Sequence, residues 1–172
     1  MPNDCPLPPI SRSQEILDNA PYLLMLLLGA ALWLGLPVQP WAWLAAVAYF
    51  AYGIAGAFWI MIFVCPYCHF HGTRLCPCGY GQLAARLQPR RDGTRFREQF
   101  RRHLPVIVPL WFLPLIPAAL TLVRQFSWWT LTLAAAFVLN AFVVLPLVSR
   151  YYGCASCPQK ETCPWMGGCK QL

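Results

Sequence analysis

Nine cysteines stand in this chain of 172 residues, and eight of them fall into two groups of four. The first group reads Cys65-Pro-Tyr-Cys68-His-Phe-His-Gly-Thr-Arg-Leu-Cys76-Pro-Cys78. The second reads Cys154-Ala-Ser-Cys157-Pro-Gln-Lys-Glu-Thr-Cys163-Pro-Trp-Met-Gly-Gly-Cys169. Two thiolates at i and i+3 reach one centre from a single turn, and a second pair returned by a short loop completes four soft ligands. Zinc takes four such sulfurs tetrahedrally, and an iron–sulfur cluster takes them at its iron atoms. The spacings C-x2-C-x7-C-x-C and C-x2-C-x5-C-x5-C lack the gap of about 15 to 20 residues that separates the pairs of a zinc ribbon. Proline follows five of the nine cysteines (Cys5, Cys65, Cys76, Cys157, Cys163), a step that iron–sulfur runs share. Iron–sulfur clusters, one or two, are therefore the favoured cofactor. Zinc is the alternative, and thiol–disulfide exchange ranks third. The glycines at 72, 79, 81, 153, 167 and 168 let the backbone wrap closely about a centre. His69 and His71 are further candidate ligands, because imidazole replaces thiolate in zinc sites and in clusters of raised potential.

The elements that must position these groups are apolar. Segments Ala20–Val38, Trp41–Val64, Leu104–Val123 and Trp128–Val148 contain no Asp, Glu, Lys, Arg or His. Each has the roughly 20 residues that a helix needs to cross the hydrocarbon core. The composition, 58% hydrophobic and 11% charged, leaves too few polar residues to cover four such helices in water. The expected fold is an all-α integral membrane protein. Four transmembrane helices would form two tight hairpins, with a cysteine-rich cytoplasmic cap. The organisation follows as an N-terminal segment 1–19, hairpin 20–64, a Cys/Arg-rich loop 65–103, hairpin 104–148 and a Cys-rich tail 149–172.

Charge sets the expected orientation. Of thirteen Lys and Arg, only Arg124 lies in the two short connections Pro37–Pro40 and Arg124–Ser127. The other twelve share one side with both termini and the long loop, which the positive-inside rule places in the cytoplasm of an inner membrane. Trp41, Trp43, Trp128 and Trp129 would mark the opposite interface, and Tyr151 and Tyr152 the cytoplasmic one. Both cysteine groups then share a reducing compartment, which favours metal ligation over structural disulfides. The acidic, proline-rich start is unlike a cleaved signal peptide.

Local patterns refine the elements. Ser11 with Gln14, or Ser13, is a candidate cap for a short N-terminal helix whose Ile16 and Leu17 face lipid headgroups. Residues 83–103 read as a basic amphipathic pair of turns or helices broken at Pro89, with Phe96, Phe100 and Leu104 lying against an anionic leaflet. Pro105, Pro109, Pro114 and Pro117 predict a kinked third helix. Ala31 with Gly35, and Gly53 with Ala57, offer small faces for close packing. Asn140, the strongly polar residue deep in a span, reads as interhelical glue.

These features point to a membrane anchor and electron-transfer subunit. Its cytoplasmic Cys-ligated centres would pass electrons between a protein partner and quinone, or another subunit. The metal ligands would be Cys65, Cys68, Cys76 and Cys78 in one group, and Cys154, Cys157, Cys163 and Cys169 in the other. Each group holding its own centre is the simplest assignment, and a shared centre is the alternative. A non-catalytic scaffold with structural zinc is the competing function. With no histidine inside a span, bis-histidine haem is excluded. No nucleophile–base pair, phosphate loop or paired carboxylates appear, so any catalysis belongs to a membrane oxidoreductase complex. The basic loop has phospholipid beside it and no recognition motif, which argues against nucleic acid.

Overall fold

The computed structural model describes residues 10–35, 40–154 and 157. Cys5, Cys163, Cys169 and Pro37 lie outside the described residues, as does the side chain of Cys154. The described chain is helical, with no strand. Four stretches are long and apolar enough to cross a membrane: Arg12–Leu34, Trp41–Tyr67, Gly93–Arg124 and Trp128–Tyr151. This is a membrane protein built of transmembrane helices.

Helix α1 (Arg12–Leu34) starts earlier than the first apolar segment, because Ser11 and Gln14 form a reciprocal capping box and the turns that follow continue through Pro21. The short N-terminal helix and the first span are one element. Ile16 and Leu17 are exposed on it, as expected. Helix α2 (Trp41–Phe63) lies beside α1, and glycines let the two approach. A Cβ at Gly53 would overlap the Leu26 side chain, and one at Gly29 would overlap the Tyr49 ring. Gly35 meets only its own helix's carbonyls, so the Ala31–Gly35 face is not used in this contact. Helices α3 (Tyr80–Leu87) and α4 (Phe96–His103) flank a break that includes Pro89, as the sequence predicts.

The third span is broken rather than merely kinked. A short 3-10 turn at Leu104–Val106 leads to α5 (Pro109–Phe112) and then to α6 (Leu115–Arg124). Proline has no amide to donate, and lipid offers no water to replace it. Tyrosines of α2 supply the missing donors. Pro114 leaves the carbonyl of Leu110 without its helical partner, and the Tyr49 hydroxyl donates to that oxygen at 2.9 Å. The Leu110 amide turns to Ile107, and the Tyr52 hydroxyl takes over the carbonyl of Val106.

The fourth span repeats the device. Helix α7 (Trp128–Leu139) passes into π-helical turns at Asn140–Val144 before α8 (Leu145–Val148). The Leu145 amide donates to Asn140, five residues back. The next amide position in that register is Pro146, so the Ala141 carbonyl is left over. The Trp111 indole donates to it at 3.0 Å. Asn140 binds α7's end to α1, its Nδ2 donating to the Pro21 carbonyl at 2.9 Å. It is interhelical glue, as expected. Met25, Leu26, Tyr49, Leu110 and Phe137 form the core between these helices. Trp41, Trp43, Trp128 and Trp129 stand exposed at the starts of α2 and α7.

Candidate functional site

The first cysteine group is folded by its own prolines and glycines. Cys65–Tyr67 forms a 3-10 turn that closes with the Cys68 amide donating to the Cys65 carbonyl at 3.0 Å. The chain then doubles back, and the Gly72 amide meets the Gly81 carbonyl at 3.0 Å. Gly72 and Gly79 hold φ of 77° and 73°, a left-handed backbone that suits glycine. Gly81 lies so near Phe70 that a Cβ there would be 2.7 Å from its carbonyl oxygen and 3.3 Å from Cys76 Sγ. Only glycine fits this turn.

The closeness has a chemical result. The Gly81 amide donates to Cys76 Sγ at 3.2 Å, and Cys76 Sγ lies 3.7 Å from Cys78 Sγ. The hydrogen bond from Cys78 holds the Cys76 thiol down at about 7, assisted by the Gly81, Cys78 and Gly79 amides against the opposing effect of burial. Cys78 is pushed well above the ordinary thiol range by its bond to Cys76 and by burial. The sequence forms a backbone nest around one thiolate.

The N-terminal turns of α1 pack on this loop. The Ile10 amide donates to the Arg74 carbonyl at 3.1 Å, and Asn19 Nδ2 donates to Cys78 O at 3.0 Å. Between them a cavity of about 350 Å³ runs along the second half of α2 from Gly56 and on to the turn at Cys65. Cys65, Cys68, Cys76, Cys78 and Cys157 all line it. Cys157 thus faces the same cavity as the first group. Phe96, Phe100 and Leu104 line the same space. The apolar stripe of α4, expected to lie against lipid headgroups, thus also borders the cavity.

His71 is buried, and its Nε2 has no hydrogen-bond partner. His69 is exposed, with its ring edge-on to Phe70. His103 stacks on Phe63 and accepts from the Trp59 indole at 3.2 Å. Three residues that the sequence reading passed over also line the cavity: Asp18, Tyr22 and Trp111. Asp18 stands one turn before Tyr22 on α1, a carboxylate at the edge of an apolar run, and that spacing was the available signal.

In kind, the donors fit a thiophilic metal. Two sulfurs bound to one tetrahedral ion at about 2.3 Å lie about 3.8 Å apart. The separation of Cys76 and Cys78 matches that edge. Thiolates on different corners of a cubane point outward and stand farther apart. Among the described residues, no group of three or more His, Cys, Asp and Glu is already poised around a metal position. A bound iron centre would supply one-electron transfer here; the chain would supply soft ligands, an amide nest and an apolar wall. No family model matches the chain, no curated protein matches it, and no solved structure matches its fold.

Proposed function

We propose that this protein is a membrane anchor and electron-transfer subunit, built as two helical hairpins with a cysteine-rich cap on the cytoplasmic side. Its cap carries a thiolate-ligated centre that exchanges electrons with a protein partner on one side and quinone or another subunit on the other. The observation that carries this reading is that Cys65, Cys68, Cys76, Cys78 and Cys157 all line one predominantly apolar cavity between the helices. Metal-bound sulfur beside a lipid-accessible space is what electron exchange with the membrane requires. The spacing of Cys76 and Cys78 favours a centre in which one iron takes both sulfurs, as in a two-iron cluster, over a cubane.

The same spacing suits zinc, so the second reading is a scaffold whose cap is held by structural zinc and docks a partner. Anaerobic purification decides between them. Iron with acid-labile sulfide, and visible absorbance that bleaches on reduction, is the expected result. Zinc without iron overturns electron transfer and leaves the scaffold.

A further inference from the structure

We infer that the cavity beneath the cysteines binds the headgroup of a membrane-soluble quinol. The inference rests on the electron-transfer reading for its physiological meaning, while its binding test stands apart from it. The size is right: small-molecule sites span roughly 300 to 1,000 Å³, and this one holds about 350 Å³. Its walls are predominantly apolar, and the polar groups along it are mostly committed. The Trp111 indole is taken by the Ala141 carbonyl, leaving its ring as a flat surface. The Tyr22 hydroxyl is taken by Gly53 O, and the Asn19 amide by Glu15 O and Cys78 O.

The Tyr80 and Ser149 hydroxyls are not so engaged, and Asp18 differs from all of these in leaving a buried acceptor without a donor. It lines the cavity, and its Oδ1 is buried with no hydrogen-bond partner. A buried acceptor without a donor is destabilising, so an occupant that brings a donor gains by it. The ligand must therefore be apolar over most of its surface, flat enough to lie on aromatic rings, and equipped with a hydroxyl. Phospholipid acyl chains meet the first condition and fail the third. A quinol meets all three, and its tail can leave through the open side of the cavity into lipid.

The test uses the full chain in phosphatidylcholine nanodiscs, where lipid is always in excess. The probe is 2-heptyl-4-hydroxyquinoline N-oxide, a flat fluorescent quinol analogue. We expect saturable quenching at one site per chain, displaced by a decyl-substituted benzoquinol. Ala57→Leu, which fills the cavity from α2, should weaken binding at least tenfold. Asp18→Ala, which preserves α1 because alanine favours helix, should weaken it about tenfold. Unsaturable quenching, failure of the quinol to displace the probe, or indifference to both substitutions in folded protein overturns the proposal. Metal analysis on the same samples separates the two readings. Quinol binding with zinc alone sinks electron transfer only, and an iron centre without probe binding sinks only this site.

Discussion

At the scale of single residues, the two cysteines of Cys76-Pro-Cys78 have the same chemistry and opposite environments. Cys76 receives an amide and a thiol hydrogen bond, which stabilise its thiolate, whereas the half-buried Cys78 is the thiol donor. A depressed value means that the reactive thiolate is present above about pH 7 and is lost as pH falls through it. Iodoacetamide labelling of chelator-treated protein, followed by mass spectrometry, should therefore show Cys76 modified with a midpoint near pH 7. Cys78 should lag well above the ordinary thiol range. Equal labelling of both at every pH would mean the nest does not form. Cys157 carries a second prediction. Because it lines the same cavity as the first group, Cys157→Ser should release metal held with Cys65, Cys68, Cys76 and Cys78. Retention of about half the bound metal in folded protein would restore one separate centre per group. That Cys65, Cys68, Cys76 and Cys78 would gather was legible in spacing alone. The nest was not, since it depends on Gly81 meeting Phe70 and Cys76 through a fold-back that no pair spacing encodes.

At the scale of elements, the helices answer one question repeatedly: where does a proline's orphaned carbonyl find a donor? The sequence predicts a distortion of the third span, a kink where the fold has a break, because four prolines in Leu104–Val123 cannot all be accommodated by one regular helix. It does not predict the donors, which come from about sixty positions away in α2 for the third span and from thirty away in the third span for the fourth. Tyr49→Phe removes the donor to Leu110 and should cost about 1 kcal/mol, the usual scale of an interhelical hydrogen bond in membranes. In a Pro114→Ala background the helical amide returns, and the cost of Tyr49→Phe should fall toward zero. Unfolding in mixed micelles across the four proteins measures this coupling; additive losses would mean that Tyr49 does not substitute for the Pro114 amide. Gly29→Ala should be worse than either, by roughly 1 to 3 kcal/mol, because its methyl would overlap the buried Tyr49 ring. The amphipathic stripe of α4 shows a different limit of sequence. Phe96 and Phe100 repeat correctly for one apolar face, yet the repeat is the same whether lipid or protein covers it. Only the packing assigns it to the cavity.

At the scale of the whole molecule, composition alone settles that helices cross a membrane, and the distribution of charge bears on which way they cross. The start of α1, the cysteine loop and Cys157 meet at one end through the Ile10–Arg74 and Asn19–Cys78 bonds and the shared cavity wall. That end carries nearly all the arginines, among them Arg74, Arg86, Arg90, Arg91 and Arg97. Arg124 stands after the third span, at the exposed turn to Gln125. A bias this steep in loops of such length orients helices through the positive-inside rule. We therefore expect fluorescent-protein fusions after Asp92 to be bright and alkaline-phosphatase fusions after Gln125 to be active, with the reciprocal fusions silent. Asp92 is suited to this, being fully exposed and engaged only locally with Thr94. The opposite pattern would reach beyond topology. It would put Cys65, Cys68, Cys76, Cys78 and Cys157 in an oxidising compartment, where paired thiols form disulfides. The 3.7 Å approach of Cys76 and Cys78 would then be read as a dithiol poised for exchange, with metal ligation losing its main support. Orientation thus decides which chemistry the sulfur wall performs, and a pair of fusions at Asp92 and Gln125 measures it directly.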